Sequence, residues 1–288
     1  MKIAGLCAIL CAVSTQSSAQ VDSVTYTTSA KAAETLPPDP AFRMKLGIDI
    51  PVAAAGTAWT LYGFSKIYGR DDVTVEKINS LDRNSINKID RGTANNYSPR
   101  AKAASDKFFY GSMPLPLFLL IDKRIRNDAA RVGLLWLESM ATTGTIYTAS
   151  AMMANRFRPY AYNPEVSIEQ RTRGGARNSF FAGHVALVGT STFFMASVLS
   201  QYHPEWSNKW ILYTVAGAAT LTTGYLRVKA GQHFKTDVAV GVAVGTLVGT
   251  LMPYIHKNRK ADPKLSFYPV MGQNTGTGFA AIYKLNRK

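Results

Sequence analysis

The chain has two cysteines, Cys7 and Cys11, and both fall within its first 19 residues. Removal of that segment leaves a chain that can form no disulfide and no cysteine-ligated metal site. Acidic residues are also scarce, 18 against 33 basic ones, for a formal net charge of +15. Such a balance favours anionic partners: nucleic acid, acidic membrane surfaces or phosphorylated substrates. The basic residues carry no stacking-aromatic pattern and no nucleic-acid motif, which removes nucleic acid as the expected partner. Several of them, such as Lys123, Arg124, Arg126 and Arg131, lie beside apolar segments, the position of membrane-flanking charge. No internal repeat is present.

What remains is apolar in patches. The 288 residues are 47% hydrophobic, with polar stretches at 70–107 and 155–178 and an apolar region over most of 130–255. At the start, Lys2, the apolar run Ile3 to Val13 and the small residues Ser17-Ser18-Ala19 predict a signal peptide over 1–19. Export is the expected consequence. Residues 20–45, punctuated by Pro37-Pro38-Asp39-Pro40, read as a linker. Helices of about the 20 residues needed to cross a bilayer are predicted over Leu46–Tyr68, Val132–Asn155, Phe180–Gln201, Trp210–Val228 and Val238–Ile255. The apolar run Phe108–Ile121 is broken by Pro114 and Pro116 and is short for a full span. Gly241, Gly245 and Gly249 share one face of the last helix, where a neighbouring backbone can approach closely. In the tail, 257–288, two β-prone runs flank Asn274 to Gly278 as in a short hairpin.

Three clusters carry chemistry: Asn155 to Tyr160, Ser179 to His184, and Arg227 to Asp237. Each lies at a predicted helix boundary, and antiparallel neighbours bring all three to one end of the bundle. That end then collects two histidines, a carboxylate and two arginines, as a binding site does. His233 and Asp237, four apart, can share a helix face. A carboxylate accepting from one ring nitrogen would leave the other free as a nucleophile. Arg158 and Arg227 present planar, permanently charged forks suited to phosphate oxygens, and His184 suits a general acid. His203 and His256 have no acid or arginine at a useful spacing and are read as structural.

The pattern Arg227-x5-His233-x3-Asp237, with Ser179-Phe180, Gly183-His184 and Arg158-Pro159, resembles the motifs of the type-2 phosphatidic acid phosphatase superfamily over about residues 108–255. The resemblance implies an all-α fold: a six-helix, membrane-embedded bundle over 46–256 with a short C-terminal β-hairpin tail. It implies a phosphatase in which His233 attacks phosphorus, Asp237 orients it, and His184 serves as acid and then base. Arg158, Arg227 and the Gly183 N–H would hold the phosphate, with no cofactor and no metal.

This sequence departs from the pattern at Ala151, where the family has lysine, and at Phe181 and Ala182, where it has proline and serine. Arg156, Arg171, Arg173, Arg177 or Lys229 could compensate. The substrate class implied is a lipid phosphate, with isoprenoid pyrophosphate, lipid A, phosphatidylglycerophosphate and phosphatidic acid all open. A soluble periplasmic acid phosphatase and a catalytically degenerate membrane binding protein are the alternatives. Localisation is expected in the bacterial inner membrane. Basic residues near 123–131 and 256–260 would place the site towards the periplasm, whereas a cleaved signal and six full spans would place it inside. A re-entrant 108–121 would repair that parity.

Overall fold

The computed structural model describes residues 40–258 in full, together with the backbone of two strands in the tail. The proposed signal peptide and nearly all of the linker lie outside the described residues. The chain divides into two compact units, one spanning Ala41–Lys257 and the other containing the tail. In the tail unit, β1 (Leu265–Gly272) and β2 (Gly276–Tyr283) pair antiparallel, Leu265 opposite Tyr283 and Gly272 opposite Gly276.

The larger unit is helical. Its long helices are α1 (Leu46–Tyr68), α2 (Pro99–Ser112), α3 (Ala129–Ala154), α4 (Gly183–Tyr202), α5 (Lys209–Lys229) and α6 (Lys235–Ile255). Hydrogen bonds across the bundle fix its two ends. At one end Arg70, just beyond α1, reaches Asn178 at 2.8 Å, and Ala182 N–H donates to the Asp237 carbonyl at 3.1 Å. At the other, Arg43 N–H donates to the His256 carbonyl at 2.8 Å, and His203 meets Asp122 at 2.5 Å.

The bundle is organised around α4, which is buried along most of its length between α3, α5 and α6. The glycine face of α6 makes the closest contact. A Cβ on Gly241, Gly245 or Gly249 would lie 2.7, 2.5 or 2.7 Å from the carbonyl oxygens of Ala182, Ala186 and Thr190. Backbone therefore rests on backbone, as the spacing predicted. Buried hydroxyls satisfy themselves within the bundle, as in the 2.7 Å bond between Thr143 and Thr190. The outer faces are apolar: Ile48, Ile50 and Leu61 on α1, Trp210, Val215 and Leu221 on α5, and Leu247, Leu251 and Ile255 on α6 are all exposed. Among the described residues, α4 and α6 are long and apolar enough to cross a membrane.

The segment 99–121 corrects the sequence reading. Its helix begins at Pro99, inside the stretch taken as a polar connection, because proline suits the first helical turn and the Ser98 side chain accepts from Ala101 N–H at 3.2 Å. It ends at Ser112, and Leu115–Ile121 continues as 3-10 turns. Asp106 lies at one end of the bundle beside Arg227, and Asp122 at the other beside His203. The segment thus carries the chain from end to end and is not re-entrant.

Candidate active site

Loops at the α3–α4 and α5–α6 junctions are stitched together by main-chain bonds. Arg158 N–H donates to Ala176 O at 2.7 Å, Tyr160 N–H to Gly231 O at 3.0 Å, and Ser179 N–H to Arg156 O at 3.0 Å. Gly231 is obligatory here: its φ is +69°, and a Cβ would lie 1.9 Å from Asn96 O. This stitching brings the three sequence clusters to one end of the bundle.

His233 is buried, with 1% of its surface exposed. Its Nδ1 lies 2.6 Å from the carbonyl oxygen of Ser179. A carbonyl only accepts, so Nδ1 carries the proton and Nε2 keeps its lone pair. Burial, followed by the positive charges of Arg158 and Arg227, holds the imidazole's pKa well below its ordinary value. The ring is therefore neutral and nucleophilic at physiological pH.

Asp237 does not do this orienting directly. Its Oδ2 accepts from Ser179 Oγ at 2.6 Å and Phe234 N–H at 2.9 Å, and its Oδ1 accepts from Arg156 at 2.5 Å. Ser179 is the intermediary, with its hydroxyl on Asp237 and its carbonyl on the His233 ring. The i,i+4 spacing misled because Asp237 caps the start of α6, turning its carboxylate towards backbone N–H and Arg156.

Arg156 is likewise engaged. It bridges Asp237 and Asp90, the latter at 2.8 Å, and lies over the Phe234 ring at 4.4 Å. Burial opposes ionisation of Asp90, but bonds from Thr236, Arg156 and Asn87 outweigh it and hold the carboxyl below its usual range. Arg156 is thus a brace of the loop and is not free for phosphate. Three other predicted auxiliaries also point elsewhere. Arg177 donates to Asp71 O at 2.9 Å, Arg171 to Ala161 O at 2.9 Å, and Lys229 lies over the Tyr225 ring at 6.0 Å.

Arg158 and Arg227 face the centre. Arg227 is almost wholly buried and donates through Nη1 to Asp106 at 3.0 Å and Ser105 at 3.3 Å. Arg158 donates through Nη1 to Gln232. The Nε of each is buried without a hydrogen-bond partner. A buried and a half-buried guanidinium group, each with a buried N–H that has no partner among the described residues, form a strong demand for an anion.

His184 begins α4, its Nε2 3.4 Å from Asp106 Oδ1 and its ring 4.3 Å from Phe109. Asp106 escaped the sequence reading, since nothing in the spacing of α2 distinguishes it. Tyr147 was missed too. A Cβ on Gly183 would lie 2.7 Å from its ring, and its side chain is within electrostatic reach of Tyr68, Arg70, Arg158 and Arg227. The lysine position, Ala151, is buried in an apolar cluster with Ile67, Tyr147 and Phe181. Arg70 donates to its carbonyl at 2.9 Å, so a cation approaches that position from α1.

His203 and His256 do have acidic partners. His203 meets Asp122 at 2.5 Å and Glu205 at 3.2 Å and stacks on Trp206. His256 Nε2 lies 3.7 Å from both Asp49 and Glu138. Both histidines sit at the end of the bundle away from His233.

A polar recess of ≈ 340 Å³ lined by Lys102, Tyr160, Arg173 and Gln232 opens beside the centre. An apolar recess of ≈ 330 Å³, lined by Phe108, Leu115, Val188 and Ala219, begins one turn along α2 from Asp106.

No curated protein sequence matches the chain. Among solved structures it is similar to a transmembrane PAP2-type phosphatidylglycerolphosphate phosphatase from Bacillus subtilis, at 22% identity and TM-score 0.45. That alignment covers 70% of this chain and 94% of that one. It is also similar to LpxE from Aquifex aeolicus, at 24% identity and TM-score 0.38, covering 56% of this chain and 90% of that one. Residues 132–261, which contain every residue of the three clusters, match the family model of the PAP2 superfamily.

Proposed function

We propose that the chain is a membrane-embedded phosphatase that hydrolyses a lipid phosphate through a phosphohistidine on His233. The observation that carries this is the convergence of a neutral, buried imidazole with two arginines whose buried Nε groups lack partners among the described residues. His233 Nε2 attacks phosphorus in line. The P–O bond to the leaving group breaks, and its oxygen takes a proton from His184. Water then attacks the phosphohistidine and gives a proton to His184. The P–N bond breaks, its electron pair returns to His233, and inorganic phosphate leaves.

Arg158 and Arg227 hold the equatorial oxygens with the Gly183 N–H, where transition-state charge accumulates. Asp106 grips Arg227 through Nη1 and sits beside His184, which fixes both groups while leaving the Arg227 Nε to the phosphate. The Tyr147 hydroxyl is the added donor that offsets the missing lysine and serine.

The apolar outer faces of α1, α5 and α6 support embedding in a membrane, and the apolar recess beside Phe108 suits an acyl chain. The reading places the site towards the periplasm. Lys123, Arg124 and Arg126 at the opposite end support this by the positive-inside rule. Because 99–121 traverses the bundle, this orientation starts α1 in the cytoplasm and leaves residues 1–19 uncleaved. Protease accessibility of the 155–178 loop in intact cells, with mass spectrometry of the N-terminus, tests it. A protected loop or a chain starting at Gln20 reverses the orientation.

The activity test is phosphate release from lipid phosphates by the purified protein, with inhibition by vanadate. A folded His233→Ala variant should release none, and wild-type activity in that variant removes the nucleophile.

A further inference from the structure

At the end of the bundle away from His233, three helices deliver one potential ligand each. Asp49 comes from the first turn of α1, Glu138 from α3, and His256 directly follows α6. One donor atom of each lies within 4.8 Å of the other two. From Asp237 to His256 along α6 the separation is about 28 Å at about 1.5 Å per residue, so this cluster is remote from the phosphate chemistry.

His256 Nδ1 lies 2.9 Å from the carbonyl of Met252. That carbonyl only accepts, so Nδ1 bears a hydrogen and Nε2 is the ring atom that faces Asp49 and Glu138. Both carboxylate oxygens stand 3.7 Å from Nε2, beyond hydrogen-bonding range. Glu138 is 6% exposed, and its Oε2, facing this point, has no hydrogen-bond partner among the described residues. Asp49 uses its Oδ2 for Lys45 N–H at 2.6 Å, which leaves Oδ1. Three potential ligand atoms therefore converge, and His256 is the one basic group facing either carboxylate among the described ion pairs. Two buried carboxylates this close together call for a cation between them.

We propose that Asp49, Glu138 and His256 bind a divalent first-row metal ion of the zinc or manganese class. Tetrahedral ligands at about 2.1 Å from an ion are about 3.4 Å apart, so the 3.7 Å gaps need contract only slightly on binding. The Nδ1–H bond to a backbone carbonyl is the outer-shell contact that metal-bound histidines use to fix their tautomer. An imidazole among the ligands favours first-row ions over magnesium and calcium. Water completes the coordination. The ion ties the start of α1 and the end of α6 to α3.

The test uses full-length protein purified in detergent and stripped with chelator. Zn2+, Mn2+, Mg2+ and Ca2+ are each added, with bound metal measured by elemental analysis and unfolding followed thermally. Expected are one equivalent of Zn2+ or Mn2+ and a rise in Tm of several degrees, with Mg2+ and Ca2+ giving little. Glu138→Gln and His256→Gln should each weaken binding at least tenfold and abolish the rise in Tm. Should Glu138→Gln not fold, the partly exposed His256→Gln carries the comparison. Absence of saturable binding by the stripped wild type, equal binding by His256→Gln, or equal stabilisation by Ca2+ overturns the proposal. Because the cluster is remote from His233, phosphatase activity at low temperature should survive stripping, and the two readings fail independently.

Discussion

Replacing Asp237 with asparagine discriminates between two ways of orienting His233. The carboxylate accepts three bonds, from Arg156, Ser179 and Phe234. An amide has one acceptor oxygen and two donor hydrogens. With its oxygen on Arg156, its NH2 group faces the Phe234 N–H; with its oxygen on Ser179 and Phe234, the NH2 group faces Arg156. Either way one buried donor loses its partner, at a cost of roughly 1–3 kcal/mol. Arg156 keeps Asp90. The Ser179 carbonyl keeps its place through the Ser179 N–H bond to Arg156 O, so the His233 tautomer survives. If the whole cost reached the transition state, Asp237→Asn would lower kcat by roughly tenfold to hundredfold. A carboxylate directly on the ring would instead cost about 10⁴-fold through the wrong tautomer. The assay is single-turnover phosphate release by Asp237→Asn, Ser179→Ala and the double variant, each checked for folding. Since both side chains act through one bond, the two effects should not add. A 10⁴-fold loss in Asp237→Asn with Ser179→Ala silent would refute the relay through Ser179.

Other outcomes follow from the same geometry. Tyr147→Phe keeps the ring on Gly183 but removes the hydroxyl, and should lower kcat/KM by about tenfold to a hundredfold, somewhat less than loss of a main oxyanion donor; unchanged kinetics would take Tyr147 out of the site. Gly245→Val drives side-chain atoms into the Ala186 carbonyl, 2.5 Å from the new Cβ; it should lower stability by at least about 1–3 kcal/mol, and thermal unfolding of the purified variant checks this. The pH dependence of stability has a defined sign. Because His233 stays neutral when folded, the unfolded chain binds one more proton below about pH 6.5. That term stabilises fully above this pH and is progressively lost as the pH falls. Asp90, held below its usual range, adds stability that is complete above the unfolded value of about 3.9 and lost below it. Unfolding midpoints measured from pH 8 to pH 4 should therefore fall on acidification, and a His233→Gln variant should show a shallower fall.

The sequence by itself determined the helical class, the positions of five helices and the glycine face of α6, because these depend on local periodicity and on residues a few positions apart. It also determined which motif residues gather at one end, since antiparallel helices joined by short connections leave few alternatives. Only the tertiary structure decided partnership. His256 has its acids on α1 and α3, Asp106 meets Arg227 across 121 positions, and Asp237 turns from its i,i+4 neighbour towards Arg156. The polar stretch 70–107 hid the start of α2, which Pro99 opens from its first turn. The physical reason is one of range: helix periodicity is written in neighbouring residues, whereas a buried charge takes whatever partner the packed chain brings within about 3 Å, and sequence spacing does not encode that distance.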